Sequence, residues 1–330
     1  MKSPLGHTNS MWQKLISFLK NWTLPVSMLV GIIGCLVVDA LPLSMVVRRG
    51  IVNTAEVVQP SLIFAMLFLT CCRIDYKQLR LHRWQGLLLG VQCCLSALLF
   101  GVAAWTKGSA VSLVMESAML CAITPTATAA AVVANKLKGD MSGVIAYTML
   151  SNFLAAVVLP LFAPLLHDSE MAFWPAFGAV LARILPMLIA PFLLAVLVRK
   201  YSARLLRLIV GVSDLPFYLW CLCLPISIAL AMKTLLHSNI GVGVAISIAV
   251  VSLCVCLVSF SIGRQIGRCY DTPVAGAQSL GQKNTAFGIW VAYTFLTPVT
   301  SVAGGFYAIW HNVYNAWQLA EQRKRKSSAP

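Results

Sequence analysis

Ten predominantly apolar stretches follow one another along the chain. Each is close to the ~20 residues that a helix needs to cross a bilayer core. They lie at approximately 24–43, 57–72, 84–105, 110–136, 141–166, 176–198, 212–234, 240–263, 272–295 and 297–319. No other feature constrains the fold as tightly. Hydrocarbon offers no partner to a backbone N–H or C=O, so each run is expected as a helix that satisfies its own backbone. The expected fold class is an all-α membrane protein with ten transmembrane helices. Composition agrees: 59% of residues are hydrophobic and 11% charged, with a mean hydropathy of +0.83.

Two of these runs are interrupted, at matching places in the two halves of the chain. Ala110–Lys136 breaks at Thr124-Pro125-Thr126, and the run at 272–295 breaks at Gly281-Gln282-Lys283-Asn284. Pro125 removes an amide donor and clashes with the preceding turn, and it suits the first position of a new helix. A polar break in a membrane helix survives only where protein packs around it or where it lines a wet cavity. A pair of such breaks in corresponding positions points to a transporter binding site. An odd number of runs on each side of His167-Asp168-Ser169-Glu170 makes the second half enter from the opposite face. Two inverted repeats of five helices, residues 23–167 and 168–320, are therefore expected.

The net charge of +15 comes with a strong asymmetry. With both termini on one side, 19 of the 25 Lys and Arg fall on that side. Only Arg48, Arg49, Lys107 and Lys233 fall on the other, while Arg183 and Lys283 lie within runs. This is the positive-inside pattern, so both termini are read as cytoplasmic and basicity is not taken as a sign of nucleic acid. Residues 1–22 read as an interfacial amphipathic N-terminus, in which 8–22 place Trp12, Leu15, Ile16 and Leu19 at helical spacing, as in a helix lying on the inner surface. Residues 321–330 read as a basic cytoplasmic tail. Membrane lipid is the one partner that composition demands.

The candidate binding residues cluster at the breaks. Thr124, Thr126 and Thr128 offer hydroxyls at the first, and Gln282, Lys283 and Asn284 form a polar triplet at the second. An ammonium inside a membrane is costly and needs an acid, an anion or water. Two half-helix N-termini beside Lys283 suit an anion at the midplane. Glu116 lies nine residues before Pro125 and is read as facing the outer vestibule or pairing with Lys283 after rearrangement. Gln92 sits mid-run in the third helix, and Thr148, Ser151 and Asn152 fall on the fifth. His311 and Asn312 follow Trp310 in the tenth; a single histidine in an apolar helix also serves as a satisfied structural group. Asp39 reads as interfacial, and Arg183 as structural before substrate-binding. The eleven cysteines form no CxxC framework. There is no Walker A, GxSxG or HExxH motif and no carboxylate cluster for a hard cation. No catalysis, cofactor or metal is expected.

Three stretches resemble the bile acid:sodium symporter family. Leu67–Leu79 (LFLTCCRIDYKQL) is similar to the end of its second span and the loop that follows. Thr124–Asp140 (TPTATAAAVVANKLKGD) resembles its proline-containing fourth span, and Gly281–Asn312 carries a similar break and a Trp-His-Asn in the tenth. The resemblance implies a core domain of spans three to five and eight to ten, a panel domain of spans one, two, six and seven, and two discontinuous helices crossing in the core. It implies secondary active transport of an organic anion, a bile acid or smaller carboxylate, by alternating access in a bacterial cytoplasmic membrane. The family's sodium ligands are largely replaced. Ala130-Ala131 stand for Ser-Asn, Val144 for a hydroxyl, Ser279 for an acid and Lys283 for a glutamine, while Gln92 and Thr148 remain. Transport independent of sodium follows, with Lys283 in place of the ion, either proton-linked or uncoupled. A same-fold metalloid or metabolite exporter, with Cys121 near the break, and a non-transporting membrane sensor are the alternatives.

Overall fold

The structure, a computed structural model, describes residues 23–73, 81–166, 172–212, 215–238 and 240–327. The expected surface helix at 8–22 and the boundary at 167–170 lie outside the described residues. Those that are described form helices: α1 Thr23–Ala40, α2 Met45–Arg73, α3 Arg83–Trp105, α4 Ala110–Ile123, α5 Ala129–Lys136, α6 Met141–Leu166 and α7 Phe173–Tyr201. They continue as α8 Ala203–Gly211, α9 Leu215–His237, α10 Val242–Arg268, α11 Pro273–Gly281, α12 Thr285–Phe295, a short 3₁₀ turn Pro298–Thr300 and α13 Ser301–Ser327. Six helices among the described residues are long and apolar enough to cross a membrane: α2, α3, α6, α7, α9 and α10. Large side chains such as Leu98, Val157, Leu193, Leu222 and Val250 stand exposed along them. That much outward apolar surface needs a lipid solvent, and the chain is an all-helical multi-pass membrane protein.

Both interruptions are real breaks between short helices. α4 stops at Ile123 and α5 starts at Ala129; α11 stops at Gly281 and α12 starts at Thr285. Other boundaries move for physical reasons. α2 begins at Met45, well before the apolar run at 57, because its first turn is neutralised. Arg48 pairs with Asp39 at 3.1 Å and also donates to the Asp39 and Leu41 carbonyls, and His237 Nε2 lies 3.1 Å from the same carboxylate. Asp39 thus ties the ends of α1 and α9 to the start of α2. α8 is a separate short helix that the apolar runs did not separate. Ser202 caps it, and Leu206 and Ile209 pack on Cys71 and Cys72 while Arg204 and Arg207 stay exposed. The last helix continues through most of the expected basic tail, to Ser327.

One end of the molecule collects arginines at helix C-termini, where cations complement the dipole and cap free carbonyls. Arg199 donates to Cys72 O at 3.0 Å and Arg73 to Val212 O at 2.6 Å. Around the breaks, three apolar clusters pack the short helices. Ile123, Ile63, Leu159, Leu188 and Phe287 belong to one; Ala122, Phe260 and Tyr307 to a second; Leu88, Ala130, Ala134 and Leu280 to the third. The fully buried Ala130 and Ala134 let α5 lie close to α11.

The tightest contact joins α10 to α11. A Cβ on Gly276 would sit 2.2 Å from Gly263 O, and one on Gly263 would sit 2.4 Å from Gly276 O. The two backbones touch, and only glycine allows it. Gly276→Ala is expected to cost about 1–3 kcal/mol by overpacking. The readout is a lower thermal unfolding midpoint of the detergent-solubilised protein. Gly243→Ala, with open space around the added carbon, leaves the midpoint unchanged.

Candidate functional site

The two breaks are hydrogen-bonded to each other. Thr126 and Lys283 form an antiparallel bridge, with Ala127 N donating to Gln282 O at 2.9 Å and Asn284 N donating to Pro125 O at 2.8 Å. Extended backbone therefore meets extended backbone inside the helical bundle, and each break serves as the other's partner. α4–α5 and α11–α12 run through this point in opposite directions.

A helix that ends inside a membrane leaves its last carbonyls without donors. Here two carbonyls at each of the two ends accept from donors outside their helix. Lys283 Nζ donates to Ala122 O at 2.8 Å, and Gln92 Nε2 donates to Ile123 O at 3.0 Å. On the α11 side, Thr126 Oγ1 donates to Ser279 O at 2.6 Å and Tyr307 OH to Gly281 O at 2.8 Å. Gln92 is held in place by Tyr147 OH, which donates to its Oε1 at 2.8 Å. Ser151 Oγ accepts from the Thr126 amide at 3.1 Å. The ends of α4 and α11 carry the negative pole of the helix dipole, and an ammonium at α4's end is matched to it. Lys283 is only 1% exposed, and no carboxylate pairs with it among the described residues. In this conformation its ammonium is spent on a helix end rather than presented to a cavity.

The remaining sequence candidates divide. Asn284 caps α12, its Oδ1 accepting from Phe287 N at 3.3 Å. Thr124 donates back to Leu120 O at 2.7 Å, with Gly288 of α12 lying against its side chain. Gln282 is buried, and its Oε1 has no hydrogen-bond partner among the described residues. Thr128 is half-buried at the start of α5, and its side chain makes no cap. Thr148 donates to Val144 O at 2.8 Å and Asn312 to Ala308 O at 2.7 Å, each within its own helix. His311 lies buried, edge-on to Tyr307 with ring centroids 5.6 Å apart. Glu116 is not directed at Lys283. It accepts from Thr297 N at 2.8 Å and Thr300 Oγ1 at 2.9 Å, which ties α4 to the turn between α12 and α13.

Tyr147, Tyr307 and Ser151 complete the crossing. Ser151 was legible as a polar position on the fifth run, but nothing marks the two tyrosines. A tyrosine in an apolar helix looks the same in sequence whether its hydroxyl reaches water or a carbonyl. A cavity of about 360 Å³ opens beside α12, bordered by Glu56, Gln59, Arg183, Trp290, Tyr293 and Thr294. Gln59 Nε2 donates to Ser227 Oγ at 2.8 Å and lies 3.4 Å from Ala286 O, in the first turn of α12. Gln59 thus links the cavity wall to the first turn of α12.

Gln92→Leu is expected to cost about 1–3 kcal/mol, because Ile123 O and the Tyr147 hydroxyl both lose a buried partner. Adding Tyr147→Phe should cost less than the sum of the two single changes, since both share one bond. Thermal unfolding of the three variants measures this. Compared with protein-family models and with curated proteins, the chain matches none, so its reading rests on this geometry.

Proposed function

We propose that the chain is a secondary transporter that moves a small organic carboxylate across the membrane by alternating access, without sodium. The observation that carries this reading is the mutual hydrogen bonding of two broken helices inside a multi-pass membrane protein. Discontinuous helices at mid-depth are how transporters build a polar site where lipid permits no loose backbone.

Several features support the finer organisation. Counting α4–α5 and α11–α12 as one span each gives ten, with α13 included, and the opposite course of the two broken helices is what inverted repeats require. Packing favours a core and a panel: α3, α4–α5, α6, α10, α11–α12 and α13 interlock, α1, α2 and α9 pack mainly on one another, and α7 bridges the two groups, lying equally on α2 and α6. The arginine-rich end is the cytoplasmic one on the positive-inside rule.

The charge balance at the crossing favours an anion. The carbonyl ends of α4 and α11 are occupied by Lys283, Gln92, Thr126 and Tyr307. The N-terminal ends of α5 and α12 point to the same place, and they carry the positive pole. The same accounting supports sodium independence. A sodium ion needs several oxygens, and the carbonyls it would use already accept from fixed donors. Lys283, as an ammonium, supplies a tethered positive charge where an ion would bring a removable one.

Proteoliposomes of the full chain, tested with a panel of short labelled carboxylates, provide the measurement. Uptake should saturate, and it should change by less than about twofold when choline replaces sodium, a difference well under 1 kcal/mol. An absolute sodium requirement overturns the coupling, and absence of flux for every carboxylate overturns transport. Lys283→Met should reduce uptake by at least about tenfold while the protein still purifies as a folded species.

A further inference from the structure

The cavity beside α12 has a composition that a simple anion does not explain. Arg183 stands in α7, within an apolar stretch that runs from Phe173 to Val198. An arginine there is expensive, and such a residue marks a functional site unless a partner neutralises it. Arg183 makes no hydrogen bond or ion pair among the described residues, yet it borders the same cavity as Glu56. The two occupy similar depths. Glu56 is eleven residues into α2 and Arg183 ten into α7, so each lies about 15–17 Å along its helix at ~1.5 Å per residue. A fixed positive and a fixed negative charge thus face one space without meeting.

A lone anion in that space would gain from Arg183 and lose to Glu56; a lone cation would do the reverse. A molecule carrying both charges satisfies both walls. The indole of Trp290 adds a face for an ammonium, and the Gln59 amide nitrogen is already committed to Ser227, which leaves its carbonyl oxygen as an acceptor. Tyr293 is Glu56's neighbour on the same wall. At about 360 Å³, the cavity is at the lower end of the ~300–1,000 Å³ typical of ligand sites. We propose that it binds a small zwitterion, an amino-carboxylate whose carboxylate is held by the Arg183 guanidinium and whose ammonium lies at Glu56 against Trp290. Binding itself needs only the cavity; the inference rests on the transport reading for the further statement that this ligand is the cargo.

The test uses the full chain in lipid nanodiscs and three matched series. Glycine, β-alanine and γ-aminobutyrate are compared with acetate, propionate and butyrate, and with methylamine, ethylamine and propylamine. At least one amino acid should bind about tenfold or more tighter than its matched carboxylate and amine. Glu56→Gln should erase the preference over the carboxylate while carboxylate binding persists. Arg183→Gln should abolish carboxylate and amino-acid binding, and Arg183→Lys should restore part of both, which separates charge from fold. Equal binding of carboxylates and amino acids, survival of the preference in Glu56→Gln, or binding by no member of any series overturns the proposal. Flux assays separate the two readings. Amino acids that bind without crossing proteoliposomes uphold the site and refute the zwitterion as cargo, and refute transport as well when no carboxylate crosses; carboxylates that cross while amino acids neither bind nor cross uphold transport and refute the zwitterion.

Discussion

A carbonyl with no donor in a medium without water is the constraint around which this molecule is arranged. Breaking one membrane helix frees several such groups, each costly to leave unpaired. The chain breaks two and lets them pair, through the bridge between Thr126 and Lys283 and the two bonds beside it. What the bridge leaves over is collected by side chains from three other elements and from the break itself. Gln92 comes from α3, Ser151 and the supporting Tyr147 from α6, and Tyr307 from α13. Lys283 comes from the break itself and reaches the end of α4. The helices around the crossing are positioned to bring those partners within reach.

Much of this was legible in the sequence, and the residues show why. The apolar run at 141–166 matched α6 at both ends, since its polar flanks leave little freedom. Both breaks fell where proline and the glycine-polar cluster sit. The start of α2 was harder, because Arg48 looks like a boundary until Asp39 is seen beside it. α8 was hidden in the loop before α9, since nine amphipathic residues make no membrane-length run. At the site, residue types were readable but destinations were not. Lys283 reads as a group in search of a negative partner, and the partner is a carbonyl 161 residues away. Glu116 reads as a match for it and instead holds a turn.

The crossing and the cavity divide the polar work. The crossing is buried and tied by short bonds in both directions; the cavity has charged walls and space. Gln59 joins them, reaching Ser227 and approaching Ala286 at the start of α12. A ligand at Arg183 and Glu56 therefore lies beside the middle and last turn of α12, away from the donors that hold the α4 and α11 carbonyls.

The half-helices also carry a consequence for how the protein is made. α4, α5, α11 and α12 have 14, 8, 9 and 11 residues, and none approaches the ~20 needed to hold a place in the bilayer alone. The first pair leaves the ribosome long before the second exists. Until Lys283 and its neighbours are synthesised, the break after Ile123 has no bridge and no ammonium, and its carbonyls depend on whatever water or translocation machinery surrounds them. Biogenesis thus includes an interval in which half a crossing waits for the other half, and only the late helices release it.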